Sequence, residues 1–118
     1  MVITPVSPVP GKPNLLLGAY EVDALGYRAE EFFVSGTASS QTTEDRADYT
    51  TRVVVLTPTD HAAFNGTVIV EWRNVTGQSD FETAWPVEAQ YLMRHGVGYV
   101  GVSAQLAGVC CGPTTLKG

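Results

Sequence analysis

The rhythm of apolar and polar positions changes repeatedly along this chain, and each change marks an element. Glu30-Glu-Phe-Phe-Val-Ser35 is β-prone and bounded by Gly36. The run Tyr49-Thr-Thr-Arg-Val-Val-Val-Leu56 passes from alternating to continuously apolar before Pro58 stops it. The polar stretch from Thr37 to Asp48 between them predicts a hairpin with a long loop. Asn65-Gly66 signals a turn. Behind it, Thr67-Val-Ile-Val-Glu-Trp72 predicts a third strand, whose nearly unbroken apolarity implies burial on both faces.

From Asp80 to His95 the period becomes helical. Trp85, Ala89, Leu92 and Met93 fall at i, i+4, i+7 and i+8, on one face of a helix. Asp80 or Thr83 can cap its start, Pro86 is tolerated in a first turn, and Gly96 can take the left-handed conformation past its end. Val97-Gly-Tyr-Val-Gly-Val-Ser103 then returns to strand. Strand, helix and strand with so many residues between the strands make a βαβ unit with parallel strands. The fold class is therefore α/β: a mixed sheet built from an N-terminal hairpin and one βαβ unit. Residues 1–28 carry Pro5, Pro8, Pro10 and Pro13, which deny ladder hydrogen bonds, and read as an irregular arm whose Leu15, Leu16 and Leu17 tuck against the core.

A length of 118 residues fits a single domain, 1–118, and 44% hydrophobic residues with 16% charged ones fit a folded globular chain. The net charge is −5, and seven of the twelve acidic residues lie between Glu21 and Asp48, while the five arginines and two lysines are scattered singly. Phosphate-backbone binding needs clustered cations, so nucleic acid and anionic membrane surfaces are not expected partners. No run approaches the roughly 18 apolar residues of a spanning helix. No secretory signal is legible in MVITPVSPVPGKPN either, and a cytoplasmic location follows by default. The sequons Asn65-Gly-Thr67 and Asn74-Val-Thr76 would matter only in a secreted context. Cys110 and Cys111 are neighbours and cannot staple a fold, and His61 and His95 stand isolated, so neither a metal site nor a cofactor motif is expected.

Gly101-Val-Ser-Ala-Gln105 falls one residue short of the G-x-S-x-G of a hydrolase nucleophile elbow. An elbow needs small residues on both sides of the serine and a helix at once behind it, but position 105 is Gln and residues 106–118 show no helical period. Downstream of Ser103 there is also no Asp, Glu or His, so a triad in the order nucleophile, acid, histidine cannot be completed from Ser103. Ser103 reads as a strand-end serine, His61 as a loop residue, and His95 as a helix-end residue that favours the dipole.

Several phrases of the chain are also distinctive in their order: Gly26-Tyr-Arg-Ala-Glu-Glu-Phe-Phe-Val-Ser-Gly-Thr-Ala38, Tyr49-Thr-Thr-Arg52, Phe64-Asn-Gly-Thr-Val-Ile-Val-Glu-Trp-Arg-Asn-Val75 and Gly96-Val-Gly-Tyr-Val-Gly-Val-Ser-Ala-Gln105. They resemble the N-terminal part of a bacterial family of α/β-hydrolase-domain proteins of esterase-like type. The resemblance implies that the hairpin supplies the first two strands of the hydrolase sheet, Thr67–Trp72 the third and Tyr99–Ser103 the fourth. The nucleophile elbow would follow a fifth strand, beyond this chain. It further implies that the loop Asn74-Val75-Thr76-Gly77 donates a backbone N–H to an oxyanion hole.

On that reading the chain is the first portion of a serine hydrolase acting on small ester-type substrates, without its triad and inactive alone. The alternative is a small non-enzymatic α/β module that binds a protein partner. In the hydrolase strand order the third strand pairs with the fifth, so Thr67–Trp72 would be left as an open edge that invites self-association.

Overall fold

The computed structural model describes residues 5–11, 21–73 and 84–105. Five strands form one mixed sheet in the order β1-β2-β3-β5-β4. They are β1 Val6–Pro8, β2 Tyr27–Ser39, β3 Arg46–Pro58, β4 Val68–Trp72 and β5 Gly98–Ser103, and the helix α1 spans Ala84–Arg94. β1, β2, β3 and β5 pair antiparallel in sequence across the sheet, while β4 and β5 run parallel with α1 between them in the chain. The expected α/β class, with a hairpin and a parallel βαβ unit, is the architecture observed.

The hairpin is longer than its hydrophobic pattern suggests. β2 and β3 have 13 residues each and pair from Tyr27↔Pro58 to Ser39↔Arg46, so the strands take up both ends of the polar stretch expected to be a long loop, and only residues 40–45 turn. Polar side chains hold this extension together across the strands: Ser35 Oγ and Thr50 Oγ1 lie 2.8 Å apart, and Thr37 Oγ1 donates to Asp48 Oδ1 at 2.7 Å. Gly36, read as a boundary, sits opposite Tyr49 with that ring folded over it. At the tip, Ser40 Oγ accepts the amides of Thr42 and Thr43, and Ser40 N–H donates to Asp45 O at 2.9 Å.

The N-terminal stretch expected to be irregular contributes the edge strand β1, in register Val6↔Val34 to Pro8↔Phe32. Proline lacks only its donor. Pro5 O accepts from Ser35 N–H at 3.0 Å, and Val9 N–H donates to Glu31 O at 2.9 Å, so an edge position tolerates both prolines.

The core lies between one face of the sheet and α1. Val22, Tyr27, Val54, Leu56, Trp85, Ala89, Leu92, Val97 and Tyr99 are buried there, with Ala29, Ile69 and Met93 packed against them. The helical face expected from Trp85, Ala89, Leu92 and Met93 is the one that docks. Trp85 stands between two tyrosines, its ring centroid 6.0 Å from that of Tyr27 and 5.4 Å from that of Tyr99. The Tyr27 hydroxyl lies 2.8 Å from Val97 O and 3.2 Å from Leu92 O, tying the hairpin to the end of the helix. α1 closes in a Schellman motif: Val97 N–H reaches Leu92 O at 3.0 Å and Gly96 N–H reaches Met93 O at 3.4 Å, with Gly96 at φ 68°. The expected capping residues at its start, Asp80 and Thr83, lie outside the described residues.

β4 departs from the expectation of burial on both faces. Val68, Val70 and Trp72 are exposed, Val70 at 67% and Trp72 at 65%. The reason is topological. β4 is the outer strand of the described sheet, and α1 covers only the face bearing Ile69 and Glu71. On the opposite face, register aligns Phe32, Val53, Val102 and Trp72 in one row and Val55, Val100 and Val70 in the next.

Candidate functional site

In α/β sheets, ligands bind outside the carboxyl ends of parallel strands. Here those ends are Glu71, Trp72 and Arg73 after β4, and Gly101 to Ser103 in β5, with the N-terminus of α1 beside them. Side chains alternate along a strand, so Glu71 and Arg73 from β4, Tyr99, Gly101 and Ser103 from β5, Arg52 from β3 and Glu31 from β2 all point to the helix side.

These residues form a polar layer under the helix. The Tyr99 hydroxyl donates to Glu71 Oε2 at 2.6 Å, and the same carboxylate accepts the Ala84 N–H of the first helical turn at 3.0 and 3.2 Å. Arg73 is 1% exposed, and its amide donates to Val102 O at 3.0 Å, continuing the β4 ladder by one residue. Arg52 is fully buried and its Nε donates to Glu31 Oε1. Two cations and two carboxylates thus share the layer, which is how charge is tolerated inside a fold. Burial pushes the Tyr99 hydroxyl well above the ordinary tyrosine value, the Glu71 carboxylate pushes it further, and the Arg73 guanidinium works in the other direction. Tyr99 is therefore a fixed neutral donor. Burial raises Tyr27 as well.

Gly101 makes this assembly fit. A Cβ there would stand 2.7 Å from Arg73 Nε and 3.2 Å from the Tyr99 hydroxyl. No larger residue leaves room for both groups beside Glu71.

Ser103 ends β5, buried at 1% exposure and paired with Arg52 in the ladder, and its carbonyl accepts from Thr51 Oγ1. It is not on a tight bend. The two histidines belong to the other end of β5, six residues and about 16 Å away. His95 Nδ1 lies 2.9 Å from Tyr91 O with its ring stacked on Tyr91, and exposed His61 begins a 3-10 turn whose following Asn65 N–H reaches Gly96 O. Neither imidazole meets Ser103.

The expected oxyanion loop, Asn74, Val75, Thr76 and Gly77, lies outside the described residues, as do Cys110 and Cys111. Arg73, the residue before it, is described and buried, and Ala84, the next described residue, donates its amide to Glu71. The polar layer itself is not legible in the sequence. Its signal there was faint: one carboxylate inside an otherwise apolar strand, followed two positions later by an isolated arginine. Among the described residues no group of three or more His, Cys, Asp or Glu is placed to hold a metal ion, and no helix is long and apolar enough to cross a membrane.

A parallel pair joined by a helix, extended by an antiparallel hairpin and carrying a charged layer at its carboxyl end, is the architecture of an α/β domain. The alpha/beta hydrolase domain family matches residues 4–118, and the chain belongs to that family. Searches of the curated proteins and of the solved structures find no match.

Proposed function

We propose that this chain is the N-terminal portion of a serine hydrolase of esterase type, which contributes part of a sheet and one half of an oxyanion hole to acyl transfer on a small ester. The observation that carries this reading is where the segment after β4 departs. Residues 74–77 follow a buried, ladder-bonded Arg73 at the carboxyl end of the parallel pair, the place where such sheets bind ligands. A backbone amide there is the half of an oxyanion hole that precedes the first crossover helix, and the other half comes from the residue after the nucleophile. Nucleophile, acid and histidine are not among these residues. Ser103 is paired in a ladder far from either imidazole, and no Asp, Glu or His follows it.

Acyl transfer therefore depends on residues this chain does not contain, and the chain alone is inactive. The test is hydrolysis of an activated ester by the purified chain and by Ser103→Ala. No turnover above background is expected from either. Turnover abolished by Ser103→Ala would overturn the reading, whereas G-x-S-x-G in the reading frame past Gly118 would support it.

A second reading has its own observation. β4 is the outer strand of the described sheet, with Val68, Val70 and Trp72 exposed and neither Pro nor Lys within it. As a binding module the chain would use this edge on a protein partner, whereas an interrupted hydrolase sheet would self-associate through it. Sedimentation of the dilute chain separates the two readings: a well-folded monomer with no esterase complement favours the module.

A further inference from the structure

The β2–β3 hairpin outgrows the sheet at one end. β5 meets β3 only from Arg52↔Ser103 to Leu56↔Tyr99, and β1 meets β2 only from Val6↔Val34 to Pro8↔Phe32. The pairs from Gly36↔Tyr49 to Ser39↔Arg46 therefore form a two-stranded ribbon with no further strand beside it among the described residues. Because β3 is antiparallel to β5, the stretch from Arg52 back to Arg46 runs past the carboxyl end of β5, by about 20 Å. The ribbon thus stands beyond the end of the sheet where α/β folds take ligands.

Its two faces differ. By alternation, Ser35, Thr37 and Ser39 of β2 and Thr50, Asp48 and Arg46 of β3 lie on the face of Glu31 and Arg52, the face of the polar layer. They make successive rungs: Ser35 opposite Thr50, Thr37 opposite Asp48, and Ser39 opposite Arg46. Beyond Ser35 all of these residues are exposed. The other face carries Gly36, Ala38, Ala47 and Tyr49, whose ring lies over Gly36 and braces the ribbon from behind.

An exposed ribbon of two strands is only marginally stable in water, and none of its residues enters the core. Solvation asks for no particular polar residues, and long charged side chains are the common choice on such an edge. Here the first two rungs hold short side chains bonded to one another: Ser35 Oγ and Thr50 Oγ1 lie 2.8 Å apart, and Thr37 Oγ1 donates to Asp48 Oδ1 at 2.7 Å. At the tip Thr43 Oγ1 donates to Asp45 Oδ2 at 2.6 Å and keeps the turn closed. Short side chains already held in place lose little freedom when a ligand arrives. They also keep bonding capacity, since a hydroxyl that donates still accepts on its lone pairs and a carboxylate accepts on both oxygens. Rungs of donors and acceptors about 7 Å apart suit a ring or chain bearing several hydroxyls and offer nothing to a hydrocarbon.

From this arrangement we propose that the ribbon is a recognition surface for a hydroxyl-rich, sugar-like group, with Ser35, Thr37, Asp48 and Thr50 as its hydrogen-bonding residues. On the esterase reading, on which this consequence rests, that group is the part of the ester remote from the scissile bond, and sugar esters are preferred to alkyl esters. Binding by the ribbon itself rests only on the geometry above.

Two measurements test it. The first follows the amide resonances of the chain by nuclear magnetic resonance as methyl α-glucopyranoside is added, with cyclohexanol as the apolar control. Saturable shifts are expected at Thr37, Asp48 and Thr50 with the sugar and not with cyclohexanol, while Val54 and Val100 in the sheet stay in place. Thr37→Val keeps the shape of the side chain and is expected to weaken this binding by about fivefold or more. Asp48→Asn keeps an acceptor for Thr37, should Thr37→Val open the ribbon, and is expected to weaken binding in the same direction. No saturable shift, equal shifts with cyclohexanol, or undiminished binding in both variants overturns the proposal. The second is hydrolysis, by the full reading frame containing this chain, of the glucosyl and cyclohexyl esters of one acid. The ratio of kcat/KM, glucosyl over cyclohexyl, is expected to fall by about tenfold in the double variant Thr37→Val, Asp48→Asn. An unchanged ratio in a folded variant overturns the specificity role. If the wild type hydrolyses neither ester, the esterase reading fails, and the resonance titration still decides whether the ribbon binds the sugar.

Discussion

Replacing Gly96 by alanine isolates how tightly the end of α1 is locked to the hairpin side of the molecule. Gly96 holds φ 68° as the left-handed residue of the Schellman motif, and a Cβ built there would lie 1.9 Å from Ala63 O and 3.0 Å from Ala63 C. The conformational part costs about 1–2 kcal/mol, since an L-residue in the left-handed region crowds its own carbonyl. The contact part is larger. The obstacle is backbone and not a flexible side-chain tip, so the 3-10 turn His61–Ala63 must retreat by about 1 Å, and overpacking of this kind costs about 1–3 kcal/mol. That retreat also stretches the Asn65 N–H bond to Gly96 O, now 2.9 Å, a loss of about 1 kcal/mol. The sum is about 3–6 kcal/mol, a large fraction of the roughly 5–15 kcal/mol that holds a domain together. Gly66 is the control: its φ is 89°, but a Cβ there meets nothing within 4 Å, so Gly66→Ala carries only the conformational part. Urea unfolding followed by far-ultraviolet circular dichroism, read at constant m-value, should place Gly96→Ala below Gly66→Ala by about 2 kcal/mol or more. Equal losses in the two variants would refute the packing of Gly96 against Ala63.

Other outcomes follow from the polar layer and the helix end. Tyr27→Phe removes the hydroxyl that reaches Val97 O and Leu92 O, and is expected to lower unfolding free energy by about 1 kcal/mol by denaturant titration. Gly101→Ala pushes a methyl into Arg73 Nε and the Tyr99 ring, with an expected loss of about 1–3 kcal/mol and a displaced Ala84 amide resonance by nuclear magnetic resonance. Alkaline titration carries a definite sign. Tyr99 and Tyr27 are raised in the folded state, so the folded protein keeps phenol protons that the unfolded chain releases above its ordinary tyrosine value. Stability is thus unaffected by these groups below about pH 10 and falls above it, by up to about 1.4 kcal/mol per pH unit for Tyr99, with Tyr27 acting in the same direction. Tyr99→Phe should remove one share of that slope, as followed by the urea midpoint between pH 9 and 12.

Local pattern determined the elements that bury a simple face. The helix was legible because Trp85, Ala89, Leu92 and Met93 recur at a period that only α1 satisfies, and the parallel βαβ unit because a crossover of that length admits little else. Ser103 could be set aside as a nucleophile because a neighbouring Gln and the lack of any acid or histidine downstream are facts of sequence. Tertiary structure decided the rest. The outer hairpin is held by pairs such as Thr37 with Asp48, whose partners are chosen by register and not by hydrophobicity. The exposure of Val70 and Trp72 depends on which strand lies at the edge, a property of the whole sheet that the apolar run Val68–Trp72 does not encode. The grouping of Glu71, Arg73, Tyr99, Gly101 and the Ala84 amide comes from three elements separated in the chain. Each looks ordinary alone, because a buried charge is defined by neighbours that only folding brings together.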